Sequence, residues 1–182
     1  MPDTVRTFVA ITIPDQLRVT LGAHLERYAQ LAPGFRWVPP GNLHLTLRFL
    51  GNLSVARLEA VATCLRGIRV QPFEVGLGGA GTFGRATAVR VVWLHVAIGV
   101  PELSALAAGV ESACRAAGVE PEERAFNPHL TLARARDRRG DGLPYLPVAQ
   151  GLPPWTVAGF TLFRSHTGAG GAVYSVLEEF AA

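Results

Sequence analysis

The chain has 182 residues, 49% of them apolar, and a formal charge of +3 in which every one of the 17 basic residues is arginine. The lack of lysine excludes a ligase that adenylates itself on lysine and a P-loop that reaches phosphates with one; arginine still offers planar, bidentate recognition of phosphate. Length and apolar fraction suffice for a buried core, in one domain over residues 1–182 that can divide into two small lobes. No apolar run approaches the roughly 20 residues of a bilayer span, and the N-terminus lacks the basic start of a signal peptide, so a cytoplasmic protein off the membrane is expected.

Residues 6–13 read as a first strand closed by Pro14-Asp15, and Leu17, Leu21, Leu25 and Tyr28 then repeat at helical spacing. His24 lies beside that stripe as a helix-surface residue. A short segment, 35–38, passes through the rigid turn Pro39-Pro40-Gly41 into a strand over 43–50, ended by Gly51-Asn52. Ser54 caps a second helix whose stripe is Val55, Leu58, Val61 and Leu65. Strands come next over 72–77 and 88–98, and the glycine-rich stretch between them, 76–84, is expected to be a bulged hairpin connection. His95, in the second of these strands, reads as a sheet histidine with a structural partner. Pro101 opens a third helix, with Leu103, Leu106, Val110 and Cys114 on one side and Gly118 as its stop. Cys64 and Cys114 both continue helical stripes and are expected as small buried residues rather than a disulfide. A strand over 129–136, an arginine-rich loop over 136–142, and strands over 156–163 and 173–180 around a glycine turn containing His166 complete the chain.

One tetrapeptide occurs twice, His44-Leu45-Thr46-Leu47 and His129-Leu130-Thr131-Leu132, each with an asparagine two residues ahead, Asn42 and Asn127. The alternation is that of a half-buried strand, so His and Thr share one face while the leucines point into a core. A motif strand in each half of an alternating strand and helix pattern predicts two similar α+β lobes related by a pseudo-twofold axis. Facing each other across a cleft, two neutral imidazoles can divide proton transfer, one taking a proton from a nucleophile and the other giving one to a leaving group. In-line displacement at phosphorus needs that division, because attacking and leaving oxygens lie on opposite sides. The threonine hydroxyls can donate to the non-bridging oxygens. For the positive charge there are two candidates. Arg48 keeps the His44 face by strict alternation, whereas Arg134, five residues after His129, needs a bulge or strand end to turn it back. A metal site is not expected, since no Cys, Asp or Glu accompanies either motif. No Gly-x-Ser-x-Gly elbow is present for serine chemistry.

The two His-x-Thr-x motifs, Arg6-x-Phe8-x-Ala10, the stretch from Asn42 to Gly51, Val91-Val92-Trp93-Leu94 and the stretch from Pro128 to Arg134 resemble the two-histidine (2H) phosphoesterases, in particular the bacterial RNA 2',3'-cyclic phosphodiesterases, long called 2'-5' RNA ligases. The resemblance implies a bilobal fold of antiparallel sheet and helices around a central cleft. It implies hydrolysis of a terminal 2',3'-cyclic phosphate to a 2'-phosphomonoester, without metal or cofactor. His44 would be the proton donor to the leaving O3' and His129 the acceptor from water, with Thr46, Thr131 and Arg134 on the phosphate. It favours Arg134 over Arg48, and places Phe8 in the nucleoside pocket. The partner implied is RNA with a 2',3'-cyclic end, or a small cyclic nucleotide; a monomer is the default. Reversal with an RNA 5'-hydroxyl, giving an ATP-independent 2'-5' ligase, and a non-catalytic RNA-end or nucleotide-binding module are the alternatives. The resemblance is weakest over residues 164–182.

Overall fold

The computed structural model describes residues 4–144, 146, 151–168 and 171–181. Strand β1 (Thr4–Thr12) leads into helix α1 (Asp15–Leu31), a three-residue strand β2 (Phe35–Trp37) and a single 3-10 turn, Pro40–Asn42. The first motif opens β3 (His44–Ser54), after which come α2 (Val55–Leu65), β4 (Phe73–Arg85), β5 (Ala88–Ile98) and α3 (Val100–Ala116). The second motif opens β6 (His129–Ala135), and β7 (Trp155–Val157), β8 (Gly159–Gly168) and β9 (Gly171–Ala181) come after it.

The strands form one antiparallel sheet in the order β7-β4-β5-β6-β3-β1-β8-β9, with β2 set beside β6. The two motif strands meet at the centre, where Leu45 faces Leu130. From that seam β3 is followed by β1, β8 and β9, and β6 by β5, β4 and β7, so each motif strand heads an equivalent half of the sheet. The result is the expected α+β fold of two related halves.

Burial explains why the halves hold. Leu45, Leu47, Leu130 and Leu132 are all buried and belong to one cluster with Leu17, Leu21 and Leu25 of α1, Val61 and Leu65 of α2, and Leu103 and Val110 of α3. Each such side chain removed from water stabilises the fold by about 1.5–3 kcal/mol. The histidines and threonines alternate with these leucines and are left on the other face. There a second, small cluster of Phe8, Ala10 and Phe163, with Tyr174 against it, covers β1 and β8. Cys114 is fully buried and Cys64 half-buried, both unbridged, and burial pushes the Cys114 thiol up to about 11. No helix among the described residues is long and apolar enough to cross a membrane.

The structure departs from the sequence reading in several places. Gly51-Asn52 does not end the first motif strand, which pairs with β1 as far as Ser54, and the short segment 35–38 supplies the strand β2. The glycine-rich stretch is strand rather than connection: β4 runs through it to Arg85 and pairs with β5 across three register shifts. Its glycines serve the rings of β5. A Cβ on Gly78 would collide with the imidazole of His95, and one on Gly81 with the indole of Trp93. The strand expected over 156–163 is two strands, divided at Ala158, which pair at opposite ends of the sheet. His166 stands exposed on β8, paired in register with Val173, rather than in the turn; residues 169 and 170 of that turn lie outside the described residues.

Candidate active site

The register at Leu45 and Leu130 sets His44 across from Thr131 and Thr46 across from His129, all on the face away from the helices. Each motif thus presents its histidine to the other's threonine. In both copies the imidazole is held from behind in the same way: Nδ1 of His44 lies 2.6 Å from the Asn42 carbonyl oxygen, and Nδ1 of His129 lies 2.7 Å from that of Asn127. A carbonyl can only accept, so Nδ1 carries the hydrogen and Nε2 is the nitrogen left for chemistry. The Asn42 side chain also donates to the Ala172 carbonyl at 2.7 Å, tying the first motif to the start of β9.

Two β-bulges determine which side chains reach the motif face beyond each His and Thr. On β3, Val9 pairs with Arg48 but Ala10 with Thr46, leaving Leu47 as the extra residue. On β6, Val92 pairs with Ala133 but Trp93 with Thr131, leaving Leu132 as the extra residue. An extra residue reverses the alternation beyond it. Leu47 and Arg48 are therefore both buried, as are Leu132 and Ala133, and the motif face is regained by Phe49 and Arg134. The bulge that Arg134 requires is present, and its guanidinium lies near enough to act electrostatically on both His44 and Tyr174.

The same bulge overturns the expectation for Arg48, which does not share the His44 face. Its side chain, 9% exposed, donates from Nε to Glu111 Oε2 at 2.6 Å, from Nη1 to the Phe49 carbonyl at 2.8 Å and Glu122 Oε2 at 3.3 Å, and from Nη2 to the Glu120 carbonyl. Glu111 Oε1 in turn accepts the Glu122 backbone N–H at 3.1 Å. Arg48 clamps the segment approaching Asn127 and His129 onto β3 and α3, and its donors are engaged with the protein.

Aromatic rings line both sides. Phe8, buried in the small cluster on this face, has its ring centre 4.9 Å from that of His44, and Tyr174 lies 5.3 Å from His44, edge-on. Phe83 and Trp93 stand 5.4 Å and 5.8 Å from His129. A groove of ≈ 420 Å³ opens beside His129, lined among others by Thr46, Phe49, Phe83 and Phe126. Burial is the main cause that lowers the His44 pKa below 6.5; the charges of Arg134 and His129 push the same way, against the Asn42 carbonyl, which favours the protonated ring. Burial pushes the Tyr174 hydroxyl up, while Arg134 and Arg6 pull it down.

The structure thus brings together His44, Thr46, His129, Thr131, Arg134 and Phe8, and sets Arg48 apart. Sequence reasoning missed Tyr174, Phe49, Phe83 and Trp93. Phe49 carried a signal, since it stands five residues after His44 as Arg134 does after His129. Tyr174 carried none, because the β8–β9 hairpin delivers it from the far end of the chain. His95 is a sheet histidine with a structural partner, Nδ1 lying 2.9 Å from the Gly79 carbonyl, and His24 sits on the helix surface near Tyr28. Among the described residues no three His, Cys, Asp or Glu side chains converge in a metal-ligating group.

Comparison with known proteins shows the family. The family model of LigT-like phosphoesterases matches residues 11–93 and 98–174. An RNA 2',3'-cyclic phosphodiesterase of Thermus thermophilus is 36% identical over 184 aligned residues, covering 97% of this chain and 89% of its own. One from Escherichia coli is 30% identical, covering 100% and 98%. Among solved structures, E. coli LigT complexed with 3'-AMP superposes with a TM-score of 0.82 at 29% identity, covering 98% of both chains. A second crystal structure, of a phosphoesterase, reaches 0.83 at 30% identity.

Proposed function

The chain belongs to the LigT-like phosphoesterases, and from that membership we propose that it hydrolyses RNA 2',3'-cyclic phosphate ends to 2'-phosphomonoesters, with His44 and His129 as the acid and base. The observation that carries the reading is the pair of imidazoles, each fixed through Nδ1 by the carbonyl of an asparagine and each presenting Nε2 to the same face. The cyclic phosphate sits between them. His129 Nε2 takes a proton from water as the water oxygen bonds to phosphorus, and the groove beside His129 admits that water. The bond from phosphorus to O3' breaks on the opposite side, and His44 Nε2 gives its proton to O3'. The products are a 2'-phosphate and a free 3'-hydroxyl, and the two histidines have exchanged protonation states.

Charge and burial support this division. In the empty site burial favours the neutral form of His44. An entering phosphate anion favours the protonated form, and a buried imidazolium is a strong proton donor once there. Thr46 and Thr131 donate to the non-bridging oxygens, and Arg134 supplies the full charge that the threonines lack. Phe8 and Tyr174, packed around His44, form the apolar wall for the nucleoside whose O3' departs. The substrate is an RNA end or a small cyclic nucleotide.

The test is incubation of the protein, in the presence of EDTA, with a short RNA ending in a 2',3'-cyclic phosphate. Conversion to a product that resists a 3'-specific phosphatase is the expected outcome; no conversion between pH 5 and 9 by folded protein would overturn the reading.

A further inference from the structure

Strand β2 adds a feature to the site that neither motif contains. It pairs with β6 in the register Phe35 to Ala135, Arg36 to Arg134 and Trp37 to Ala133. Residues directly opposed in an antiparallel pair project from the same face, with Cβ atoms about 4.5–5.5 Å apart. Phe35 and Trp37 pack toward the core, so Arg36 projects from the other face, beside Arg134 and with the catalytic histidines. Both arginines are exposed, and among the described residues neither is paired with a carboxylate. Like charges directly opposed across a ladder are destabilising. Some of the other arginines are engaged with the protein, Arg48 with Glu111 and Glu122, Arg66 with Glu178, Arg57 with the Ala117 carbonyl and Arg136 with the Pro33 carbonyl, and among those left free Arg36 is the one that the register sets directly opposite Arg134. Two bare guanidinium groups side by side at the cleft are relieved by anions, and one phosphate is already assigned to Arg134.

The position of Arg36 says where a second phosphate comes from. One edge of β6 is flanked first by β3, at Leu130, and then by β2, at residues 133–135. Along that edge His44 stands across from Thr131, and Arg36 is the next residue on the same face, level with Arg134. The ribose of the departing O3' lies on the His44 side, so the chain that continues from that ribose leaves past Arg36. We propose that Arg36 binds the phosphodiester one nucleotide upstream of the reacting phosphate, which makes an oligonucleotide end a better substrate than a cyclic mononucleotide. This rests on the hydrolase reading and adds the polymer to it.

The ratio of kcat/KM for a trinucleotide with a 2',3'-cyclic end to that for adenosine 2',3'-cyclic phosphate measures the subsite. In wild type the ratio exceeds one. Arg36→Ala lowers it about tenfold and flattens the salt dependence of the trinucleotide by about one unit of log–log slope; Arg36→Glu lowers it further, and Arg36→Lys recovers most of it. An equal ratio in wild type and Arg36→Ala overturns the proposal. Should wild type cleave neither compound, the hydrolase reading fails, and equilibrium titration with a 2'-phosphate-ended trinucleotide against adenosine 2'-phosphate still reads the subsite. An affinity ratio insensitive to Arg36→Ala overturns it there as well.

Discussion

The two motif strands are built alike and equipped differently. In each, the asparagine carbonyl fixes the histidine, the two leucines enter the core, and one extra residue reverses the alternation. Beyond that point the residue types part. Where β3 buries Arg48, β6 buries Ala133; where β3 exposes Phe49, β6 exposes Arg134. The shared part is what a two-sided displacement requires, an oriented imidazole and a hydroxyl on each side. The unshared part is what the proposed reaction requires once, a single cation for a single phosphate. The bulge places the fifth residue after either histidine on the motif face, and the residue type there decides whether that half offers charge or an apolar wall.

Removing the shared part gives the largest effects. His44→Ala and His129→Ala each lower kcat by about 10²–10⁴-fold, as expected for loss of a general acid or base, with thermal unfolding close to that of wild type. The unshared charge comes next. Arg134→Gln lowers kcat/KM about 10²-fold by loss of a charge-assisted contact to the phosphate in its transition state. It also moves the pH profile. His44, the proton donor, titrates below 6.5 in part because of Arg134, so the alkaline limb of kcat/KM, where the donor loses its proton, shifts upward in the variant. An unmoved limb would detach Arg134 from His44. The smallest effect concerns stability. Arg48→Met leaves Glu111 and Glu122 facing each other without their cation and costs about 2–3 kcal/mol in urea unfolding, less than for a wholly buried pair because both carboxylates are partly exposed. Were Arg48 instead a ligand for the phosphate, KM would rise with little change in stability.

The stability of the fold carries the same asymmetry with pH. His44 is lowered in the folded protein, so the unfolded chain binds more protons between pH 6.5 and the folded value. Stability present above pH 6.5 is therefore lost as pH falls through that window.

The element order and both halves of the sheet were legible because hydrophobic period and caps carry them: Ser54 does cap α2, its Oγ accepting the Arg57 N–H, and the leucines of both motifs are buried as their alternation predicts. Alternation failed at Arg48 because it presumes an unbroken ladder, and a bulge is a property of two strands rather than one. The repeat itself held the remedy. Since Arg134 needs a bulge to reach the face, the same bulge in the first copy moves Arg48 off it and Phe49 onto it. The glycines of β4 misled for a related reason, since their meaning lies in the rings of His95 and Trp93 on the strand beside them. Tyr174 and Arg36 reach the site through pairings between distant parts of the chain, which no local pattern records.

Ala158 draws these relations into a constraint on motion. It alone separates Val157, at one rim of the sheet, from Gly159, which sits on β8 beside the other rim. Two trans peptide units span at most about 7.6 Å, so the two outer margins are stapled together by the chain itself. A sheet fastened in this way cannot fan apart like an opening book to receive its ligand. A backbone cut at Ala158 would turn a stiff clasp into a hinge.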